Sequence, residues 1–349
     1  MSIRPIILLA AALAAFTILA ACSTNPSSQD ENGLVTIGAG LSGPKGASAS
    51  LAASGLKNVS ALAEDSQGRL WATSAAFTDT GADGLSVVPT PGAAPVEVVS
   101  GLHTPMGLLW IGDRLLVSSA EGVLAFDGFD GAKFASEQTL ATFNGAGILG
   151  ELVLGDDGRV RVGISAPCDN CDPDSKWAAA VVSFLPDGTG ARVEASGIRA
   201  PVGVAYVPGT NDLLMTMNQR DDLGEATPGD YLAQVIPGED WGFPDCYGQG
   251  GSACSGAPKA IAELDLHAAV SGVAVVSSSG GPVAFVAEWA TGKVLQVRLS
   301  GSTGSYTGKA ETFITGVQSP VPVIASGNNS LLIGDWATGM VYRVTLPAS

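Results

Sequence analysis

The chain has 349 residues, of which 46 are glycine, 20 are proline and only 14 % are charged. Glycine is nearly twice its usual share of ~7 % and charge is well below the usual ~25 %, so tight turns are favoured over long charged helices. The 33 acidic residues outnumber the 17 basic ones, which gives a net charge of −16. No stretch of the sequence concentrates basic residues. Nucleic acid is therefore excluded as a partner, because phosphate binding needs clustered cations.

The first predicted element is an export signal. Arg4 precedes an apolar run over 6–21, which is shorter than the ~20 residues that span a bilayer. The run ends in LAAC at 19–22, which resembles the lipobox of bacterial lipoproteins, where the cysteine is acylated and becomes the mature N-terminus. An ordinary signal peptide followed by a chance cysteine is the alternative. We expect a signal peptide over 1–21, lipidation at Cys22 and a membrane-anchored protein of the bacterial cell envelope that faces outside the cytoplasm.

The next segment, residues 22–53, is rich in Ser, Gly, Ala and Asn and lacks a clear period. This composition predicts a flexible tether between the membrane and a folded domain, although its C-terminal part can still lend a strand. Residues 54–349 are expected to form that domain.

The domain is predicted to be built from repeats. The stretch from Ala287 to Leu299 matches the one from Gly334 to Leu346 at seven of thirteen positions, with an offset of 47 residues. A second signature, Gly-aliphatic-x-x-Pro or a close variant, begins at 55, 101, 197 and 316. A period of 46 to 47 residues is typical of a four-stranded β-propeller blade. We therefore predict an all-β fold, a six-bladed β-propeller, over a pair of β-sandwiches, which would not explain the fixed spacing.

Each predicted repeat carries a short apolar run bounded by Gly, Asp or Asn, which is the pattern of a strand. We interpret these runs as one inner strand per blade. They cover 69–74, 114–118, 159–164, 212–217, 283–289 and 331–336.

Four cysteines remain after Cys22, in two local pairs, Cys168 with Cys171 and Cys246 with Cys254. Export places them in an oxidising compartment, so structural disulfides are favoured. A redox dithiol and half of a zinc site are alternatives. Acidic neighbours of the first pair disfavour a reactive thiolate, and neither of the two histidines lies near a pair.

The longest irregular stretch runs from Asn218 to about Ala260, and long loops inside a compact fold are often functional. It concentrates carboxylates, the ligands that Ca²⁺ prefers, and a second acidic loop follows Cys168. Asp residues also favour turns, so the acids can equally be turn formers. The predicted Ca²⁺ ligands are Asp221, Asp222, Glu225 and Asp230.

Several motifs together resemble the quinoprotein glucose/sorbosone dehydrogenases, the sorbosone branch in particular. They are CDNC at 168–171, PDG at 186–188, GIRAPVG at 197–203, NQRDDLG at 218–224 and WGFPDCYG at 241–248. The resemblance implies a six-bladed propeller that binds pyrroloquinoline quinone (PQQ) and Ca²⁺ and oxidises sugars or aldehydes by hydride transfer to the quinone.

The family's functional positions are only partly present. Its catalytic histidine falls at Gly147, and the Asn of its Gly-Leu-Arg-Asn-Pro motif is Ala200, whereas the Arg is kept as Arg199. Its cationic partners for the cofactor fall near Ala290 and Ser319. PQQ has three carboxylates, and burying them without cations is costly.

The remaining candidates follow from this resemblance. His267 is the candidate base, with a loop-packing imidazole as the alternative, and Arg199, Arg220 and Trp241 are the candidate cofactor-binding residues. Trp241, Trp289 and Trp336 can stack on a sugar, although Trp289 and Trp336 occupy matching repeat positions, which is typical of packing between blades.

We interpret the protein as a propeller that binds a sugar- or aldehyde-like small molecule at its mouth, with catalysis lost. An active PQQ- and Ca²⁺-dependent dehydrogenase with a rearranged base is the alternative, and a Ca²⁺-dependent lactonase-like hydrolase is a more distant one.

The lipid anchor is testable by mass. Intact protein extracted from membranes is expected to start at Cys22 and to carry two or three acyl chains. A Cys22→Ser variant should lose those chains and leave the membrane fraction. A wild-type protein that is cleaved at another bond and recovered without acyl groups would contradict the lipoprotein hypothesis.

Overall fold

The computed structural model describes residues 33–78, 83–248, 252–327 and 329–348. The predicted signal peptide, Cys22 and the first part of the tether lie outside these residues. Within the described ranges no helix has the length and hydrophobicity needed to cross a bilayer. The two helical segments are single 3-10 turns at Gly224–Ala226 and Ser252–Cys254.

The first three sheets each contain four consecutive antiparallel strands. Blade 1 consists of β4 (Val59–Glu64), β5 (Leu70–Ser74), β6 (Asp83–Val88) and β7 (Val96–Leu102). Blade 2 consists of β8 (Gly107–Ile111), β9 (Arg114–Ser119), β10 (Gly122–Asp127) and β11 (Ser136–Ala141). Blade 3 consists of β12 (Leu149–Leu154), β13 (Val160–Ile164), β14 (Ala180–Phe184) and β15 (Arg192–Ala195).

The next two sheets repeat this order. Blade 4 consists of β16 (Ala200–Tyr206), β17 (Leu213–Asn218), β18 (Gly229–Val235) and β19 (Ala262–Leu266). Blade 5 consists of β20 (Val270–Ser278), β21 (Gly281–Glu288), β22 (Lys293–Arg298) and β23 (Ala310–Thr315). The stretch 218–260, predicted to be irregular, contains β18, and the longer of the two segments that flank β18 within it leads to β19.

Blade 6 closes the ring with strands from both ends of the described chain. It combines β24 (Pro320–Ala325), β25 (Ser330–Asp335) and β26 (Met340–Thr345) with β3 (Ser48–Ala53), which pairs antiparallel with β26. Strands β1 (Val35–Gly38) and β2 (Leu41–Gly43) extend blade 5 beyond β23. The six-bladed propeller predicted from the repeat is confirmed.

Residues 35–53 therefore differ from the expected tether. They form β1 to β3, because the outer edge of β26 has unpaired backbone groups that an added strand satisfies. The folded domain begins before residue 54 for this reason.

The six runs predicted to be innermost strands occupy a different position within their blades. All six runs are strands, but they are β5, β9, β13, β17, β21 and β25, the second strand of each blade. The innermost strands are the preceding ones, which contact each other around a central channel. The second strands are largely apolar because they are covered by neighbouring blades on both faces; β17, for example, is buried from Leu213 to Met217.

The innermost strands approach each other too closely for side chains at several positions. A Cβ atom at Gly203 would collide with the carbonyl oxygen of Ser271 in the next blade, and one at Gly272 would collide with that of Val321. Glycine at these positions is thus required by the approach of neighbouring backbones.

A single carboxyl group lies within the channel. Glu151 lines a cavity of about 230 Å³ whose other walls are mostly apolar, and its Oε2 accepts the N–H of Val204 at 3.2 Å. Burial raises the pKa of Glu151 to about 8, so the group is protonated at neutral pH. Glu151 therefore adds little negative charge to this part of the channel.

The close packing of the innermost strands is testable by substitution. Gly203→Ala is expected to destabilise the domain by about 1–3 kcal/mol, because every atom near the new Cβ belongs to the backbone. Gly280→Ala is the matched control, since the nearest atom to its Cβ is 3.9 Å away, and it should change stability by less than about 0.5 kcal/mol. Equal urea-unfolding midpoints for the two variants would contradict the proposed constraint.

Candidate functional site

A cavity of about 720 Å³ opens at one end of the channel, where the innermost strands begin and the second strands end. All six blades contribute to it, as expected for the mouth of a propeller. Its lining includes Ala76, Phe77, Met106, Gly147, Ile148, Ser165, Arg199, Asn218, Ser271, Trp289, Val321 and Trp336. We call this cavity the mouth.

Aromatic side chains form one wall of the mouth. The indole of Trp289 is 5.9 Å from that of Trp336 in an edge-to-face arrangement, and Phe77 is 6.5 Å from Trp336 on the other side. Phe77 is 49 % exposed and Trp289 is 38 % exposed, unlike residues that pack between blades. Both tryptophans line the cavity, which is the position that stacking on a ligand would require.

The polar side chains of the mouth are largely bonded to the protein itself. Asn218 Nδ2 donates to the carbonyl of Val270 at 2.7 Å, and Trp336 Nε1 donates to that of Ala75 at 2.7 Å. Ser271 Oγ donates to the carbonyl of Ala269 at 3.1 Å. Most of the surface offered to a ligand is therefore apolar.

Arg199 is the only charged side chain among the described residues of the mouth. Its Nη2 donates to Asp169, which lies in the loop closed by the Cys168–Cys171 disulfide. Asp221 lies further away, with Oδ2 at 3.8 Å from the same nitrogen. The Nε of Arg199 is buried and has no hydrogen-bond acceptor among the described residues.

Asp169 also accepts hydrogen bonds from the backbone of the loop after β17. The N–H of Asp221 lies 3.0 Å from Oδ1, and the N–H of Asp222 lies 2.7 Å from Oδ2. The loop after blade 3's second strand is thus tied to the loop after blade 4's second strand.

His267, the predicted base, does not line the mouth but contacts this same loop. Its Nδ1 is 3.0 Å from Asp221 Oδ1 and its Nε2 is 3.0 Å from the carbonyl oxygen of Gly224. Both partners are acceptors, so only the imidazolium, with two N–H groups, satisfies both. The hydrogen bond to Asp221 accordingly raises the pKa of His267. Both ring nitrogens are therefore engaged by groups outside the mouth.

The predicted calcium ligands are engaged elsewhere. Asp222 forms a bidentate pair with Arg220, with both N–O distances at 2.6 Å, and this hydrogen bonding lowers the pKa of Asp222. Asp230 is buried, and its two oxygens accept the N–H groups of Gln219 and Val270 at 2.8 and 3.3 Å.

Asp230 has a counterpart that explains its role. Asp83, at the start of β6 in blade 1, likewise accepts the N–H of Ala76 after the second strand and the N–H of Thr104 before the next blade. Both aspartates join consecutive blades. Burial raises the pKa of Asp230 to about 6, which is the expected effect of desolvation on a carboxyl group.

No cluster of three His, Cys, Asp or Glu side chains that could hold a metal ion is present in residues 33–78, 83–248, 252–327 and 329–348. The side chain of Glu225 lies outside what the structure describes. The expectation of a Ca²⁺ site built from Asp221, Asp222 and Asp230 is not met by their geometry, because Ca²⁺ needs six to eight converging oxygens.

Gly147 lies at the mouth, as the sequence alignment placed it. A Cβ atom there would collide with the backbone carbonyls of Ala166 and Ser165, and the N–H of Gly147 donates to Ser165 at 2.9 Å. The backbone therefore leaves no room for a histidine at this position. The next residue, Ile148, is 40 % exposed and covers the rim instead.

A second cavity, of about 440 Å³, lies within the long excursion of blade 4. Arg199, Arg220 and Trp241 all line it, but only Arg199 also reaches the mouth. The guanidinium of Arg220 stacks on Tyr247 at 4.6 Å, and the buried indole N–H of Trp241 has no acceptor among the described residues. The Cys246–Cys254 disulfide closes the loop above this cavity. Both disulfides predicted from the cysteine spacing are confirmed.

Neither cavity fits PQQ. The mouth has one cation for three carboxylates, and Asp169 already pairs with it. The blade-4 cavity adds Arg220, which pairs with Asp222, and the exposed Lys259, while Glu263 adds a carboxylate to the same lining. Burying three carboxylates with so few available cations is strongly disfavoured.

Phe77 and Ile148, which line the mouth, and Asp169, which pairs with Arg199 beside it, were not singled out by the sequence as ligand-binding residues. Asp169 was considered for its effect on the neighbouring cysteines and as part of a second acidic loop with the composition of a Ca²⁺ site. The positive φ of 54° at Phe77, which holds the ring at the rim, has no sequence signal.

Solved structures similar to this one have the same overall fold. The PQQ domain of pyranose dehydrogenase from Coprinopsis cinerea matches with a TM-score of 0.71 at 14 % identity, over 87 % of this chain and 97 % of that one. A calcium structure of a carbohydrate-active enzyme of family AA12 from Trichoderma reesei matches with a TM-score of 0.71 at 15 % identity, over 93 % and 100 %. The soluble aldose sugar dehydrogenase of Escherichia coli matches with a TM-score of 0.65 at 16 % identity, over 86 % and 99 %.

The chain thus has the fold of six-bladed glucose/sorbosone dehydrogenase-like quinoprotein propellers. No known protein family and no curated protein matches the sequence itself. Identities this low establish the architecture and leave function to the site.

The state of His267 is testable by NMR. Its pKa should lie above 6.5 and fall towards that value in Asp221→Asn, whereas Asp113→Asn, in an exposed turn of blade 2, should leave it unchanged. Because the folded-state pKa is raised, the stability from this pair is complete below pH 6.5 and is lost as pH rises through the folded pKa. An unchanged titration in Asp221→Asn would contradict the assignment. A His267→Gln variant identifies the resonance.

Proposed function

We propose that the protein is an exported lipoprotein whose propeller binds an uncharged, sugar- or aldehyde-like small molecule at the mouth without oxidising it. The fold is that of sugar dehydrogenases, and ligands of propellers bind where loops of all blades converge. The lipobox-like motif at 19–22 supports the anchored form.

One observation is the main support for the proposed loss of catalysis. Among the described residues of the mouth there is no His, Asp, Glu, Lys or Tyr. Hydride abstraction from an alcohol or a hydrated aldehyde needs a base within hydrogen-bonding distance of the departing proton. His267 lies outside the cavity, where it contacts Asp221 and the carbonyl oxygen of Gly224, and the backbone at Gly147 excludes a histidine.

The features that remain are those of a binding site. A cavity of about 720 Å³ is large enough for a small organic molecule, and most binding pockets combine apolar walls with a few polar groups. The exposed indole of Trp289 and the ring of Phe77 offer flat surfaces to the apolar face of a pyranose or to the body of an aldehyde.

The test measures binding and turnover in the same preparation. Mature wild-type protein with added PQQ and Ca²⁺ should not reduce an artificial dye with any member of a panel of aldoses and aldehydes. At least one neutral member should quench tryptophan fluorescence in a saturable manner. Dye reduction that is lost in His267→Ala would overturn the proposal in favour of an active dehydrogenase.

Two variants locate the binding site. Trp289→Ala should weaken binding of that ligand by about three- to tenfold, which corresponds to the loss of one aromatic contact. Trp110→Phe is the control, because Trp110 packs against Trp71 between blades 1 and 2 and does not line the mouth. Equal affinities of the two variants would contradict binding at the mouth.

A further inference from the structure

The charge of the mouth is set by one ion pair. Arg199 is 18 % exposed and lines the cavity, and its Nη2 is bonded to the carboxylate of Asp169. Asp169 lies in a loop of blade 3 and Arg199 immediately precedes the first strand of blade 4, so the pair forms only when these two blades pack together. Among the described residues of the lining no other cation is present to attract an anionic ligand.

Asp169 is held in place independently of Arg199. The Cys168–Cys171 disulfide closes a four-residue loop around it, with the two Cα atoms 6.0 Å apart. The N–H groups of Asp221 and Asp222 donate to its oxygens from the opposite loop at 3.0 and 2.7 Å. A carboxylate fixed by covalent closure and two amide donors is preorganised, so an incoming ligand gains little by displacing it.

The neighbouring charges are balanced in the same way. Asp222 pairs with Arg220, and Asp221 contacts His267 while lying 3.8 Å from Arg199, so each carboxylate of this network has a basic partner. The Nε of Arg199, which has no acceptor, shows that its guanidinium retains donor capacity that Asp169 does not use. Removal of the Asp169 charge would therefore leave an arginine available at the mouth.

We propose that Asp169 is a specificity-determining residue, an internal carboxylate that occupies Arg199 and restricts the mouth to uncharged ligands. A ligand carboxylate near Arg199 meets the fixed charge of Asp169 within the same contact, and such like-charge contacts are an effective means of rejecting a ligand. The inference rests on the proposed function, because it names the charge class that the same site accepts.

The experiment uses two probes of nearly equal shape and different charge, benzamide and benzoate. Each is titrated at pH 7.5 into the mature wild-type protein, Asp169→Asn and Asp174→Asn, and binding is followed by tryptophan fluorescence and by NMR shifts of the indole N–H groups. Asp174 is the matched control, since it is an exposed acid of the same loop for which no contact with Arg199 exists.

Asp169→Asn should raise benzoate affinity by at least about tenfold relative to Asp174→Asn, in line with a newly available charge-assisted hydrogen bond. Benzamide affinity should stay within about twofold in all three proteins, since neutral ligands do not use the charge. Arg199→Gln in the Asp169→Asn background should abolish the gain. Equal benzoate affinities of the two single variants would overturn the inference.

Asp169→Ser is a second variant, to be used if Asp169→Asn does not fold. Its hydroxyl can still accept a hydrogen bond from the N–H of Asp222. Asp169→Ser should show the same gain in benzoate affinity. A folded Asp169→Ser protein without that gain would equally overturn the inference. The proposed function fails separately. Wild-type protein that binds no neutral ligand argues against it, while a benzoate gain in Asp169→Asn would still assign the role of Asp169.

Discussion

The contact on which the rest of this structure depends is the close approach of the innermost strands around the channel. Backbone carbonyls of one blade lie where a Cβ of its neighbour would be, at Gly150 against Val202, at Gly203 against Ser271 and at Gly272 against Val321. Hydroxyl groups on second strands fasten the same region, since Thr216 Oγ1 donates to Ser271 at 2.6 Å. Six blades brought together this tightly place their loops around one opening.

That opening explains the chemistry of the site. Loops that converge from all blades bring acidic and basic residues into contact, and here they neutralise each other as Arg199–Asp169, Arg220–Asp222 and His267–Asp221. The remaining surface is apolar and aromatic. A neutral mouth with exposed indoles supports binding of an uncharged molecule more than binding of an anionic quinone, although the surrounding fold is that of quinoprotein dehydrogenases.

Much of the fold was predictable because repetition is visible in sequence. The 47-residue offset of the two WATG segments and the recurring glycine signatures give the number of blades. The position of each strand within its blade, from the channel outwards, was not predictable. Apolar character marks burial between blades, which is greatest in the second strands, whereas the innermost strands are recognised by glycines whose need arises from a neighbouring backbone. A strand from the end of the tether was foreseen, but its pairing with β26 was not predictable for a similar reason, since the two strands lie almost 300 residues apart in the chain.

The candidate site was predicted less well than the fold. A group of acidic residues in one loop has the composition of a calcium site, yet Asp230 joins two blades and Asp222 is paired with Arg220. Only the fold reveals these partners, because they come from other loops or require a local turn. His267 and Arg199 were correctly placed near the mouth loops, but their states depend on Asp221 and Asp169.

The sequence by itself determined the export signal hypothesis, the repeat, the all-β class and the two cysteine pairs, because each is expressed in local composition or regular spacing. The high glycine content and low charge belong to the same class of information, since short strands need many turns. The tertiary structure decided which charges meet, which strands line the channel and that the mouth is apolar. Those properties depend on contacts between residues far apart in the chain, and no local pattern encodes them.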